Sequence, residues 1–356
     1  EVPLAEEGAP RPRVSVVTPA YDEAESVEPA LRAMLGQDYP DLEVVAVDDR
    51  STDGTGEIME AVAKEDDRLR VVSITELPEG WLGKVHALQR GLEQSSGEWV
   101  LFADADVELS PTALHRAVCY AEEEHLDLLS VVPTIKSAGL VGDAVFSFFL
   151  IVLCTGRPLW RVRDPRSKAV AATGAFILVR RAALEDTPGF EWLRLEVADD
   201  FGLCLLLKSH GKRCDIINGR GEVSLTWYGS FGEMVRSMQK NFFGIMGRFS
   251  ALRTTMQAAV FAWVGAFPAA ALLPVETPAL RLAALAAEAC IALGMLLGSL
   301  WTGRPLRGAL VPPLGILAIA YMVLRSGIVG RRAGGILWRG VLYPSDMLRE
   351  SQRVRV

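Results

Sequence analysis

Histidine and cysteine are scarce, with four of the first and five of the second in 356 residues. His86, His115, His125 and His210 share no metal-ligand spacing, so they read as residues of helix faces and turns. Cys119, Cys154, Cys204, Cys214 and Cys290 are odd in number and contain no Cys-x-x-Cys, which argues against structural zinc and fits a reducing compartment. An excess of positive charge is also missing. The net charge of -7 argues against a nucleic-acid partner. No internal repeat is visible. The first residue is Glu1 rather than Met, so an upstream signal, anchor or tag is expected to have been removed or left out.

Charge itself is missing from long stretches. Half of the residues are hydrophobic, and the apolar excess collects after Gln257. Gln257–Val275 and Leu282–Trp301 carry almost no charge over about 20 residues, the length of a transmembrane helix. Glu288 is the one acid inside the second and is by default a functional candidate. Leu310–Val329 is a third candidate, weakened by Pro312-Pro313 and by Arg325. Trp301 and Trp338 suit anchoring at the interface. Arginines mark the cytoplasmic side of a membrane, yet they occur both in the loop Thr302–Arg307 (Arg304, Arg307) and in the tail (Arg331, Arg332, Arg339). Three full crossings cannot put both on one side. Either the third segment is re-entrant or broken at its prolines, which we favour, or one basic cluster lies outside.

Ahead of this region the pattern is one of strands alternating with helices. Val14–Thr18, Leu42–Val47 and Arg70–Ile74 are short β-branched runs, and helices are expected over Ser26–Leu35, Gly56–Lys64 and Val85–Leu92. A helix over Ala113–Glu124 and a strand over Leu126–Val132 follow, and Lys168–Val179 reads as a strand pair broken at Gly174. This alternation argues for an α/β fold with a mostly parallel sheet. Ala144–Cys154 is strongly apolar but about half the length of a span, hence either a core helix or one lying on the membrane. Ser230–Arg253 repeats Phe, Met and Ile at helical spacing between Arg236, Lys240, Arg248 and Arg253. That pattern suits a helix in the headgroup layer, the alternative being one packed on the catalytic domain. The expected organisation is a polar leader over residues 1–13, an α/β domain over 14–229, an amphipathic region over 230–255, a membrane region of two or three segments over 256–330, and a basic tail over 331–356.

The chemistry collects where strands end. Trp99–Phe102 is an apolar run that leads into Asp104 and Asp106. On an extended chain residues two apart face the same side, so both carboxylates would face one point at the mouth of the sheet. Like charges that close call for a cation, and a hard divalent ion with room for phosphate oxygens fits best. A polar loop following a strand is the bland alternative. Lys84 stands behind a glycine-punctuated loop at a helix start, where anions bind. Asp199 and Asp200 stand just ahead of a helix over Phe201–Ser209. One aspartate is enough to cap it, which leaves the second for chemistry.

Together these motifs resemble family 2 glycosyltransferases, whose nucleotide-sugar-binding α/β fold is called GT-A. VSVVTPAYDE (14–23) resembles the family's first strand and nucleotide loop, and VDDRSTDGT (47–55) resembles its VDDGSTDGT with Arg50 in place of Gly. GKVHALQRGL (83–92), FADADVELSP (102–111) and VADDFGLCLLLKSHGKR (197–213) resemble its helix, metal-binding and base-bearing segments, with Asp199 in place of the usual Glu. The resemblance covers Val14 to about Phe249. The GWLGK loop and the tail Trp338–Tyr343 are most similar to members that glycosylate hopanoid, carotenoid or ceramide lipids. It implies that Pro19, Tyr21 and Asp22 line the nucleotide pocket, that Asp49 accepts from uracil, and that Lys84 sits near the diphosphate. It also implies that Asp104 contacts the ribose or the metal side, that Asp106 ligates a Mg2+ or Mn2+ ion, and that Asp200, beside Asp199, is the catalytic base. Gly174 and Gln239 would lie on the acceptor side. Polymer-making members carry Gln-x-x-Arg-Trp. Here Gln239 is present without the Arg-Trp pair, which favours a single transfer.

The expected activity is metal-dependent, inverting transfer from a nucleotide sugar, a UDP-sugar on the match at Asp49, to a membrane lipid. The bilayer, the donor and the lipid are the expected partners. The expected location is a plasma or inner membrane, multi-pass, with the catalytic domain cytoplasmic. Three other readings stand beside it: a polyprenyl-phosphate glycosyltransferase, a nucleotidyltransferase, and a non-catalytic membrane scaffold with a degenerate nucleotide-sugar domain.

Overall fold

The computed structural model describes residues 11–156, 158–272 and 278–354. Residues 1–10 of the expected leader lie outside them. The chain forms two units, Glu1–Thr134 with Leu159–Leu225, and Ile135–Pro158 with Thr226–Val356. The expected single stretch 14–229 is therefore interrupted: residues 135–158 belong to the second unit.

In chain order the first unit builds β1 (Val14–Ala20), α1 (Val27–Leu35), β2 (Leu42–Asp49), α2 (Thr55–Ala63), β3 (Leu69–Ile74), α3 (Gly83–Glu93), β4 (Trp99–Phe102), β5 (Val107–Leu109), α4 (Ala113–Glu123) and β6 (Leu128–Val132). β7 (Thr134–Ile135) leads out to α5 (Gly139–Gly156) in the second unit. On return the chain adds β8 (Ile177–Arg180), α6 (Arg181–Glu185), α7 (Asp199–Ser209), β9 (Cys214–Asn218) and β10 (Val223–Leu225). Seven strands form one sheet in the order β3-β2-β1-β4-β8-β6-β9. All its pairs are parallel except those of β8, which runs antiparallel between β4 and β6. Val14, Val16 and Val17 are fully buried on successive faces, as a strand covered on both sides requires. β1, β2 and β4 end at one edge, where ligands bind in open α/β sheets.

Two expectations change here. The strand pair over Lys168–Val179 is a single strand preceded by irregular chain, because Ala171, Ala172, Gly174 and Ala175 supply no run of large side chains and Thr173 N donates to Ser130 Oγ (3.0 Å). β4 stops at Phe102, so Asp104 and Asp106 stand in a loop and turn rather than on an extended strand, and β5 then pairs antiparallel with β10.

The second unit contains α5, then α8 (Phe231–Ser237), α9 (Gln239–Asn241), a π-helical turn (Phe242–Met246), α10 (Ala251–Ala266), α11 (Pro278–Thr302) and α12 (Pro312–Ala333). The hairpin β11–β12 (Gly335–Trp338, Val341–Pro344) and α13 (Ser345–Ser351) follow. Among the described residues three segments are long and apolar enough to cross a membrane: Gly139–Arg161, Pro278–Thr302 and Pro312–Ala333. The expected span Gln257–Val275 is not among them. Its helix ends at Ala266, ahead of Pro268, a residue that cannot continue the hydrogen-bond ladder, and residues 273–277 lie outside the described residues. The apolar stretch at Ala144–Cys154 belongs instead to a longer helix of 18 residues. Pro312 and Pro313 do not break the last helix. They open it, at positions whose N–H groups have no intrahelical partner anyway, and the helix runs unbroken for 22 residues. Ser230–Arg253 is not one amphipathic helix: it is interrupted by the π-turn and by positive φ at Arg248 and Phe249. Its Met234, Phe242 and Phe249 are buried within the second unit rather than packed on the first. The basic tail from 331 is likewise not loose chain, since it finishes α12 and forms the hairpin and α13.

Small residues let the helices of this unit approach closely. A Cβ at Gly265 would lie 3.0 Å from Leu317 Cγ, and one at Gly327 would strike Thr254, so α10 and α12 run antiparallel in direct contact. At the start of α5, Asp143 is fully buried and accepts from Arg304 Nη2 (3.0 Å), Arg307 Nε (2.6 Å) and Ser137 Oγ (2.9 Å). The Arg304 guanidinium stacks 4.5 Å above the Phe146 ring. Removing one partner of such a buried pair leaves the other charge uncompensated, at a cost of about 3–5 kcal/mol. Asp143→Ala should therefore lower the melting temperature of the detergent-solubilised protein. Adding Arg304→Leu should restore part of the loss. Unchanged melting of the single variant would show that the cluster contributes no stability.

Candidate active site

The cavity at the sheet edge is lined by Lys84, Asp104, Gly174, Asp199, Asp200 and Leu203. Lys84 is the second residue of α3, so its ammonium and the positive end of that helix act at the same place. Its Nζ lies 2.6 Å from Asp104 Oδ1 and 3.6 Å from Asp199 Oδ2. Burial opposes its charge, but Asp104, Asp199 and Asp200 outweigh burial and raise its pKa. A Cβ at position 174 would fall 2.9 Å from both Asp104 Oδ2 and Lys84 Nζ, so a side chain there would displace this pair.

Asp199 and Asp200 open α7 without capping it. The N-cap residue is Ala198, with no side-chain cap bond, and Glu196 Oε1 accepts from Ala198 N (3.1 Å) to hold the turn ahead of it. Asp200 Oδ1 accepts from Phe201 N (2.8 Å). Burial, then the neighbouring Asp199, pushes Asp200 up to about 7. Asp106 is pushed up to about 7 by burial, then by Asp104 and Glu23. Asp104 and Asp106 are thus electrostatic neighbours, through a turn rather than a pleat.

A second group forms the other side. Pro19 is buried within β1 in register with Val47. Asp49, fully buried at the end of β2, accepts from Arg50 Nε (2.8 Å) and Nη2 (3.2 Å). The Arg50 guanidinium lies 5.9 Å from the centre of the Tyr21 ring. Arg50 has φ 64°, the left-handed region that favours glycine, which accounts for the glycine usual in this motif. A Cβ at Gly83 would lie 2.8 Å from Arg50 Nη2, so the Asp49–Arg50 pair abuts the start of the helix that carries Lys84.

Asp22 also has a structural part. Its Oδ1 accepts from Thr52 N (2.7 Å), its own N–H donates to Ser51 Oγ (3.1 Å), and Glu23 N donates to Thr55 Oγ1 (2.8 Å). It therefore braces the loop after β1 against the loop after β2. Sequence reasoning missed this brace and the Arg50 clamp. The Ser-Thr-Asp-Gly-Thr run, rich in residues that bond nearby backbone, was the available signal. Gln239 belongs to the second unit.

Among the described residues no group of three or more His, Cys, Asp or Glu forms a ready-made metal cage. Asp104 and Asp106 nevertheless suit a divalent ion of the Mg2+ kind, which is commonly held by one or two carboxylates and completed by substrate phosphates and water.

Residues 15–187 match the model of Glycosyl transferase family 2. This chain carries a family 2 glycosyltransferase domain. It is 34% identical over 112 residues to the GalNAc(5)-diNAcBac-PP-undecaprenol beta-1,3-glucosyltransferase of Campylobacter jejuni, a match covering 32% of this chain and 35% of that protein. It is 30% identical over 183 residues to Glycosyltransferase AglE of Haloferax volcanii, covering 50% of this chain and 56% of that protein. The chain thus matches between about a third and just over half of the length of these relatives. The structure of mannosyltransferase PcManGT from Pyrobaculum calidifontis in complex with GDP-Man and Mn2+ superposes with a TM-score of 0.54 at 22% identity, over 92% of this chain and 89% of that one. The shared fold is GT-A.

The raised pKa of Asp200 makes a stability prediction. The fold holds that proton more tightly than the unfolded chain does, so the associated stability is present below the ordinary carboxylate range and is lost as pH rises through about 7. Asp200→Asn mimics the protonated form. It should melt above the wild type at about pH 8, the gap closing toward about pH 4, the ordinary carboxylate value. A gap independent of pH would contradict the assignment.

Proposed function

We propose that this protein transfers a sugar from a nucleotide-sugar donor to a membrane lipid in a single inverting displacement. The observation that carries this reading is the meeting of Lys84, Asp104, Asp199 and the half-buried Asp200 around one cavity. The acceptor hydroxyl gives its proton to an Asp200 oxygen as its own oxygen bonds to the anomeric carbon. On the opposite face the bond from that carbon to the diphosphate oxygen breaks, and the nucleoside diphosphate leaves with the electron pair. Lys84 offers positive charge to the departing diphosphate. A Mg2+ or Mn2+ ion held by Asp106 and Asp104 would supply further neutralisation there when bound. Pro19, Tyr21 and Asp49 would hold the nucleoside, with Arg50 as part of that wall. A uracil amide would share the Asp49 carboxylate with Arg50. Asp199 positions the base, and Gly174 serves the acceptor side.

The lipid acceptor and a multi-pass location, with the catalytic domain cytoplasmic, are supported by the apolar segments of the second unit. Gly139–Arg161 does not suit a simple crossing. The strands before and after it, β6 and β8, pair in one sheet, and a crossing would leave them on opposite sides of the bilayer. The earlier conflict over basic loops is eased, since Arg304 and Arg307 are engaged by Asp143. The carboxylate set and the family domain weigh against a scaffold. A polyprenyl-phosphate acceptor is the second reading, favoured by the undecaprenol-linked sugar in the name of the Campylobacter relative.

Incubation of the detergent-solubilised chain with Mn2+, labelled nucleotide sugars and a total lipid extract should move one label into the organic phase. An acid-labile phosphodiester product would select the polyprenyl-phosphate reading, and release of pyrophosphate would indicate nucleotidyl transfer. Asp200→Asn should reduce transfer by roughly 10²–10⁴-fold, the usual contribution of a general base. Donor binding, measured by calorimetry, should stay near that of the wild type. Normal turnover by the Asn variant would remove Asp200 from the mechanism.

A further inference from the structure

Arg325 of the second unit has no counter-ion among the described residues. Arg325 lies on α12, inside an apolar segment, eight residues before the helix ends at Ala333. Its Nη1 donates to Gln239 Oε1 at 3.1 Å. Among the described residues this neutral amide is its one polar partner, and no carboxylate forms an ion pair with it. Arg304 and Arg307 in the same unit are each paired with Asp143. A guanidinium presents five N–H donors, and a single amide oxygen satisfies one of them. A charged side chain inside a membrane segment that lacks an internal partner marks a functional position by default.

Two further observations define what the missing anion is. On the exposed face of α12, Arg325 is flanked by Tyr321, Leu324 and Ile328, which are 52%, 39% and 43% exposed. An anion reaching the guanidinium across that face travels best when attached to an apolar chain. The surrounding chain is also strongly basic. Residues 226–256 and 321–354 hold ten Lys and Arg against three Asp and Glu, in a chain of net charge -7. These stretches pack together. Lys240 Nζ lies 3.4 Å above the Trp338 ring, and Arg349 Nη2 donates to the Phe249 carbonyl at 2.9 Å.

We propose that Arg325, oriented by Gln239, binds the phosphate group of a membrane lipid. The planar guanidinium matches two phosphate oxygens at once. The lipid tail would lie along Tyr321, Leu324 and Ile328. An anionic phospholipid and a polyprenyl phosphate offer the same chemistry, and the second would be the acceptor itself. The inference rests on the proposed membrane association of the second unit.

The test uses the full chain in phosphatidylcholine nanodiscs, titrated with phosphatidylglycerol, with a polyprenyl phosphate and with inorganic phosphate. The wild type should bind at least one phosphate-bearing lipid, and inorganic phosphate far more weakly. Arg325→Gln should weaken lipid binding about tenfold or more, the usual worth of a charged hydrogen-bonding pair, and Arg325→Lys should fall between. Gln239→Glu guards against a folding defect. It gives Arg325 an internal carboxylate, so it should raise the melting temperature while weakening lipid binding to a similar degree, a combination that a merely structural role does not produce. Tight binding of the phospholipid alone would identify a structural lipid, and of the polyprenyl phosphate an acceptor. If Arg325→Gln and Gln239→Glu both bind phosphate lipids as the wild type does, or if inorganic phosphate binds equally well, the inference is overturned while the membrane reading stands. A chain that washes off membranes without detergent overturns both.

Discussion

A single half-buried ammonium holds the cavity at the sheet edge together. Lys84 stands between Asp104 and Asp199, with Asp200 on the same cavity and Asp106 beside Asp104. One positive charge does not balance four carboxylates in a partly dry space, where charges at these distances interact several times more strongly than in water. The remaining imbalance has two remedies. The site takes up protons, which is what the upward shifts of Asp106 and Asp200 record, or it takes up a second cation. The two remedies compete, so affinity for a divalent ion should rise with pH as those carboxylates ionise. The same charge deficit that would favour an ion thus keeps Asp200 able to hold a proton at neutral pH.

Much of the first unit was legible because its signals are local. Short β-branched runs ending on Asp49 and Asp104 gave the strands and the edge at which they act. What was not legible depends on backbone geometry and on distant partners. The two-residue spacing of Asp104 and Asp106 suggested a pleat, yet the strand stops at Phe102 and a turn brings them together. Asp22 read as a pocket residue, but the loop it braces lies some thirty positions away in sequence, at Ser51 and Thr52. The apolar stretch at Ala144–Cys154 showed its hydrophobicity but not its company. Its place in the second unit comes from packing with the late helices, where Gly308 and Gly315 allow backbone to approach Asp143 and Ala144.

The second unit uses arginine in two ways. Arg304 and Arg307 converge on the fully buried Asp143, so a cluster that counts as basic in sequence is partly neutralised in structure. Arg325 has only an amide. A rule that counts arginines to orient a membrane protein treats these alike, although the first two are committed to an internal carboxylate. The prolines at 312 and 313 illustrate a related point. In mid-helix they would break the ladder, whereas at the first turn they cost nothing, and only the position of the helix start distinguishes the cases.

Arg50 shows how a departure from a motif is accommodated. A non-glycine residue at φ 64° carries strain of about 1 kcal/mol or somewhat more. Asp49, however, is fully buried, and a buried carboxylate without a partner is worse by several kcal/mol. The two hydrogen bonds from Arg50 to Asp49 therefore outweigh the strain of the turn that makes them possible. A glycine there would relax the backbone but forgo both of these bonds. The substitution thus exchanges a flexible turn for a charge pair between neighbours in sequence.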